Sequence, residues 1–331
     1  MFSFTIMTKN FSKLLTPPDK NLFYSRNDAT DVRMGEIVIH EKKNYPSQID
    51  IGIIGVPDDE GVRRNLGRVG AKQAPTAIRT ALYKYTPFSF FTKKLISQLS
   101  IVDFGDVKIG KTLENTHNNL QNIVEELLSK NIFPIILGGG HDIAYPNFSA
   151  LSQTSNKIGI INIDSHLDFR KPNPQRNSGT SFHEILKNHS QKISPKNFVE
   201  LGIQSFVNSS QHIKELQKTG ATIIPFSTIQ KNGIETSIKK AYTIATKNAN
   251  NLYVSFDIDS VKNSDAPGVS ASLPTGLTAE EILTTAFFVG KKRKTKLIDI
   301  VEMNPNHDID NKTAKLSASI IMYFLAGFLE R

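Results

Sequence analysis

Four short blocks hold the residues best able to do chemistry: Gly138-Gly139-Gly140-His141-Asp142, Asp164-Ser165-His166-Leu167-Asp168, Asp257-Ile258-Asp259 and Glu302-Met303-Asn304-Pro305. On an extended chain, residues i, i+2 and i+4 point to one side, so Asp164, His166 and Asp168 are expected to converge, as are Asp257 and Asp259. Packed together without cations, these groups would suffer repulsion and desolvation. Two divalent ions would balance the charge of the four aspartates, as in two-metal hydrolytic centres. Oxygen-rich ligands with a minority of imidazole and no sulfur favour manganese, and also admit iron, cobalt or zinc. Each block alone has a plainer reading. Three glycines make a tight turn and lack the spacing of a dinucleotide or phosphate loop. A lone His141 suits a core position, and Asp-x-Asp suits a loop start. Their common location carries the argument.

That location is the carboxyl end of apolar runs, where open α/β sheets bind ligands. Apolar runs fall at 49–56, 132–137, 158–163, 198–203, 222–225, 252–256 and 297–301, several of them nearly continuous in Ile, Val and Leu. Such runs predict parallel strands buried on both faces. The four blocks come directly after the runs at 132–137, 158–163, 252–256 and 297–301. Between runs, Leu120, Ile123, Val124, Leu127 and Leu128 mark one helix face. Thr278 to Glu281 reads as a capping box opening another helix, and a last helix is expected over 313–329. Strands alternating with helices imply right-handed βαβ units and an α/β fold. Residues 1–45 are polar with Pro17-Pro18 and read as an irregular N-terminal extension; 46–331 reads as one catalytic domain.

Composition narrows the chemistry. The 331 residues include no Cys, which excludes disulfides, thiolate nucleophiles, zinc ribbons and iron–sulfur centres. The formal charge of +9 raises nucleic acid or an anionic surface as a partner. The densest basic run, Lys291 to Lys296, has no interleaved aromatics and suits the solvated C-terminal end of a helix. Neither nucleic acid nor membrane is therefore expected as a partner. No apolar stretch is long enough to span a bilayer, and the first residues lack a secretory signal pattern. A cytoplasmic protein is the expectation.

The ordered set Gly-Gly-Gly-His, Asp-x-His-x-Asp, Ser-Phe-Asp-Ile-Asp (255–259) and Glu-x-Asn-Pro resembles the arginase/agmatinase (ureohydrolase) superfamily over roughly 48–330. Within it the chain is most similar to the formimidoylglutamase branch of histidine degradation. The pointers are Asp59 to Asn65 with Gly67 to Ala71, Asp168-Phe169-Arg170, Ser178-Gly179-Thr180 and Ala266 to Ser270. The resemblance implies a three-layer αβα sandwich around a mostly parallel, about eight-stranded sheet, assembled as homotrimers or hexamers. It implies two Mn2+ per subunit. One would be held by His141, Asp164, Asp168 and Asp257, the other by Asp164, His166, Asp257 and Asp259.

The activity so implied is hydrolysis of the formimidoyl C–N bond of N-formimidoyl-L-glutamate, giving L-glutamate and formamide, through a hydroxide shared by the metals. Glu302 is expected to orient the cationic nitrogen end, and Asp259 to carry a proton to the leaving nitrogen. Arg170, two residues past a ligand, suits a carboxylate of the substrate; Ser178, Arg63 and Asn65 are further candidates for that pocket. Departures from the branch include Asp142 for the commoner Glu, Ser165 for Ala and Ser181 for Pro. The proton-shuttling histidine of arginases has no counterpart; His183 falls one residue off and reads as structural, and His40, His117, His189, His212 and His307 have no evident companions. The alternatives are another ureohydrolase (arginase, agmatinase or guanidino-acid hydrolase) releasing urea, a two-metal phosphoesterase, and a non-catalytic scaffold. Against a phosphoesterase, the sequence shows no phosphate-cradling loop and Glu302 would repel phosphate; a scaffold would keep buried carboxylates at a cost in stability.

Overall fold

All seven apolar runs fold as strands in the computed structural model, which describes residues 7–331. Two further strands join them. In chain order they are β1 (Leu15–Thr16), β2 (Ile51–Gly55), β3 (Ile101–Val107), β4 (Phe133–Leu137), β5 (Ile158–Ile163), β6 (Phe198–Ile203), β7 (Thr222–Pro225), β8 (Asn251–Asp257) and β9 (Thr295–Val301). They form one sheet in the order β1-β3-β2-β4-β9-β8-β5-β6-β7. Every pairing is parallel except that of β1 with β3.

The sheet is buried on both sides because its side chains alternate between two cores. Ile135 and Leu137 enter one core and Ile136 the other; Ile161 and Ile163 face away from Ile158 and Ile160. Helices α1 (Ala74–Leu82), α2 (Leu113–Ser129), α3 (Ala144–Thr154), α4 (Ser181–Asn188), α5 (Ser210–Thr219), α6 (Ile234–Ala245), α7 (Ala279–Gly290) and α8 (Lys312–Phe328) supply the outer layers. Helices α1, α7 and α8 pack together on one face, and α2, α3 and α4 on the other. The expected face of α2 is in place: Leu120, Ile123, Val124 and Leu127 are buried. The capping box also forms. Thr278 Oγ1 accepts from the Glu281 N–H at 3.1 Å, and Glu281 Oε2 accepts from the Thr278 N–H at 2.8 Å. Among the described residues, no helix is long and apolar enough to cross a membrane.

The described part of the 1–45 segment is not irregular. Leu15 pairs with Val107 and Thr16 with Asp106, so β1 closes one edge of the sheet and brings the strand count to nine rather than eight. Phe11 packs edge-on against Phe104 at 5.2 Å, and Phe23 stacks between His40 (3.8 Å) and Tyr83 (4.6 Å). Met34 and Val38 are buried in the main core. A few apolar residues in a polar segment suffice to dock it.

Candidate metal centre

The four blocks emerge from four adjacent strands in the middle of the sheet, β4, β9, β8 and β5. After β4 the chain turns through Gly138 (φ 68°) and Gly139 (φ 87°), a backbone path that disfavours any side chain. The turn delivers His141 fully buried. Its Nε2 lies 2.9 Å from Ser255 Oγ, whose own hydrogen goes to Asp299 Oδ1 at 2.6 Å. Ser255 can then only accept from His141, so Nε2 carries a proton and Nδ1 is the nitrogen turned to the cluster. That Nδ1 is buried without a hydrogen-bond partner. It faces Asp168 at 2.9 Å and Asp164 and Asp257 at 3.1 Å. A ring nitrogen aimed at three carboxylates calls for positive charge between them, a proton on the ring or a bound cation. Burial opposes a charged ring at His141, yet the carboxylates hold it well above the usual histidine range.

The other ligand blocks converge by turns rather than by strand pleat. Asp164 Oδ1 accepts from the His166 N–H at 2.6 Å, folding the segment back on itself, and Asp168 adopts a left-handed φ of 42°. Asp257 Oδ1 accepts from the Asp259 N–H at 2.8 Å, closing a 3-10 turn over Ile258–Ser260. His166 Nδ1 lies 3.1 Å from Asp259 Oδ2 and 3.6 Å from Asp164 Oδ1. Two groups result. His141, Asp164, Asp168 and Asp257 offer ligand atoms within 4.8 Å of one another, and so do Asp164, His166 and Asp259. Asp164 belongs to both, whereas Asp257 falls in the first alone.

The electrostatics mark this as a site built for positive charge. Burial, with Asp259 and Asp164 beside it, holds the Asp257 carboxyl well above the usual range. Burial also pushes Glu302 up to about 8. At His166 burial opposes the charged ring, yet Asp259 and Asp164 outweigh it and push the ring up to about 12. Divalent ions would supply what protons supply in their absence. The donor set fits them, since Asp259 Oδ1, like His141 Nδ1, is buried without a partner.

A cavity of about 400 Å³ opens above the cluster. His166, Asp257, Asp259 and Glu302 line it, and so do Arg170, Ser178 and Asn65. Glu302 is held at a left-handed φ of 63°, and its Oε1 accepts from the His141 N–H at 2.8 Å. Strained backbone at both Asp168 and Glu302 is characteristic of functional sites. Asn65 Nδ2 donates to Ser178 Oγ at 3.0 Å, joining two expected pocket residues. Arg63 is elsewhere: its guanidinium is paired with Glu60 at 2.6 Å, and it does not line the cavity. The reason is local, because Glu60 sits one helical turn before it.

Among the other residues that line the cavity outside the four blocks are Asn208, Ser209 and His212, from the loop after β6 and the start of α5. They lie just past the carboxyl end of the 198–203 run, the same kind of position that marks the metal ligands, and that placement is the sequence signal for them. His117 does have a companion, Asp142 Oδ2 at 2.7 Å from its Nε2, and His189 Nε2 lies 3.0 Å from Ser149 Oγ. His183 packs against Phe169 at 5.3 Å, outside the cavity lining.

Comparison with known proteins agrees with this geometry. The sequence profile of the arginase family matches residues 49–327. A formimidoylglutamase of Geobacillus sp. (strain WCH70) is 33% identical over 332 aligned positions, covering 95% of this chain and 97% of its own. One from Streptococcus pyogenes serotype M12 is 34% identical over 281, covering 82% and 83%. Among solved structures, Trypanosoma cruzi formiminoglutamase with Mn2+ superposes with a TM-score of 0.81 at 31% identity, covering 96% of this chain and 100% of that one. Formimidoylglutamase from Bacillus subtilis gives 0.85 at 26% identity, covering 92% and 94%. With the profile spanning most of its length and its motifs gathered at four neighbouring strand ends, the chain belongs to the arginase family.

Proposed function

We propose that this protein is a manganese-dependent hydrolase that cleaves N-formimidoyl-L-glutamate and water to L-glutamate and formamide. The observation that carries the reading is one cavity with two unlike ends: an anionic floor suited to metal and amidinium, and an arginine in its wall. The manganese-bound and formimidoylglutamase-named relatives support it. His141, Asp164, Asp168 and Asp257 would hold one ion; Asp164, His166 and Asp259 would hold the other, with Asp257 as a second shared ligand. When bound, the metals supply positive charge and acidify water.

The chain's own groups do the rest. Glu302, ionised in that positive field, accepts charge-assisted hydrogen bonds from the amidinium nitrogens and fixes the carbon above the cluster. Its Oε1 is already anchored by the His141 N–H, so the carboxylate is preorganised. Asp259, whose Oδ1 is buried without a hydrogen-bond partner, takes a proton from the attacking water and returns it to the glutamate nitrogen as the C–N bond breaks. Arg170 pairs with a substrate carboxylate, and Ser178 and Asn65 supply polar contacts beside it. An N-terminal extension (1–45), its described part docked on the sheet and core of the catalytic unit (46–331), cytoplasmic residence, and assembly into a homotrimer or hexamer complete the reading.

The test is a substrate panel on purified, Mn-loaded protein, scored for formamide, ammonia and urea. Formamide from formimidoylglutamate is expected. Urea from arginine, agmatine or a guanidino acid, without formamide, would replace this reading with another amidine hydrolase.

A further inference from the structure

The segment linking the ligand Asp168 to α4 carries Arg170 and Ser178, and its exposed middle is held at the surface by a Lys171–Glu215 pair at 3.4 Å. Lys171, Asn173, Pro174 and Gln175 are exposed. One side chain turns inward. Arg176 lays its guanidinium over the Tyr145 ring at 4.3 Å, donates from Nη2 to Glu184 Oε1 at 3.0 Å, and points Nη1 at His117 Nδ1 at 3.3 Å. His117 passes the link on through Nε2 to Asp142 Oδ2 at 2.7 Å, and Asp142 adjoins the ligand His141. From the other side, Arg64 Nη1 donates to the Arg176 carbonyl at 3.3 Å while pairing with Glu114 at 2.7 Å. The ends of the loop are tied by the Arg170 N–H to the Gly179 carbonyl at 2.8 Å and the Ser178 N–H to the Gly61 carbonyl at 3.1 Å.

From this we infer that Arg176 is a positioning residue for substrate recognition: it clamps the 170–178 loop to α3, α4 and His117, and so sets where Arg170 and Ser178 meet the substrate's carboxylate end. The inference rests on the activity proposed above for its kinetic readout. The clamp is specific to arginine, because one planar group must present a face to Tyr145 and two edges to Glu184 and His117. A loop free to shift by an ångström loses oriented binding without touching the metal ligands.

Arg176→Ala and Arg176→Lys are compared with the wild type, all Mn-loaded, using N-formimidoyl-L-glutamate. KM is expected to rise about tenfold in the alanine variant and severalfold in the lysine variant, with kcat within about threefold and metal content unchanged. Hydrogen exchange of amides 171–178, read without substrate, is expected to quicken in both. KM within about twofold of wild type in both variants, or kcat falling in step with metal content, would overturn the inference. If Arg176→Ala does not fold, the lysine variant decides alone. If the wild type fails to turn over formimidoylglutamate, the proposed activity fails, and the exchange measurement still judges the clamp: unchanged exchange would sink it.

Discussion

Arg170 and Arg63 show what a residue type can and cannot promise. Both are candidates by type for the substrate's carboxylates, and both are exposed. Only Arg170 lines the cavity, while Arg63 is held by Glu60. Arg170→Ala is therefore expected to raise KM about tenfold, the loss of one solvent-accessible charge-assisted pair, with metal content intact. Arg63→Ala should leave KM within about twofold, as a surface change outside the site. Steady-state kinetics with metal analysis of both variants checks the pair; an unaffected Arg170 variant would remove that assignment. Glu302→Gln keeps an oxygen for the His141 N–H and loses the charge. It is expected to cost about a hundredfold in kcat/KM, since the anion acts on a cationic group at the reacting centre. A variant with full activity would place amidinium recognition elsewhere.

At the scale of elements, the strand that the apolar runs did not reveal has the most revealing anchor. Strand β3 reads Ile-Val-Asp-Phe-Gly-Asp-Val, and Asp103, Gly105 and Asp106 break the hydrophobic run that marks its neighbours. Those carboxylates are there for Arg79 of α1. Its Nε and Nη2 reach Asp103 at 2.7 and 2.9 Å, and Nη1 reaches Asp106 at 2.6 Å, with Tyr83 also bonded to Asp103. Arg79→Met fills the same space and leaves a buried carboxylate unpaired. We expect a loss of about 3–5 kcal/mol, measured by urea unfolding of the metal-loaded protein. A change below about 1 kcal/mol would mean that Asp103 finds another partner. Legibility followed the same physics. Strands buried by continuous apolar contact could be read from the sequence, with their ligand-bearing ends. The strand held by ion pairs could not, nor could β1, whose role depends on an edge formed by distant residues. The residues of the cluster could be picked out in the sequence, but the turns that gather them, at Asp168 and over Ile258–Ser260, are properties of the backbone. The pairing of His117 with Asp142 spans 25 positions and leaves no local pattern.

For the whole molecule, the metal centre and the fold are linked through protons. With the ions removed, burial raises Glu302 from 4.5 to about 8 and crowding with aspartates raises His166 from 6.5 to about 12; Asp257 is also held well above its ordinary range. In each case the unfolded chain gives up its proton at lower pH than the folded chain does. Stability of the folded state must then fall as pH rises, from about 4.5 to about 8 on account of Glu302, and above about 6.5 on account of His166. Asp164 is shifted the other way, but its effect lies below the ordinary carboxylate range and does not oppose this trend. Bound divalent ions replace those protons and remove the slope. They also add stability through binding, about 4 kcal/mol when free metal is a thousandfold above its dissociation constant. Thermal melts of chelated and Mn-loaded protein, taken from about pH 5 to about pH 9, test the linkage. The two curves should lie closest at the acid end and diverge as pH rises, with the chelated protein melting progressively lower. Parallel curves would mean that the cluster's carboxylates share no proton burden in the metal-free fold, and the electrostatic case for a two-ion site would fall with them.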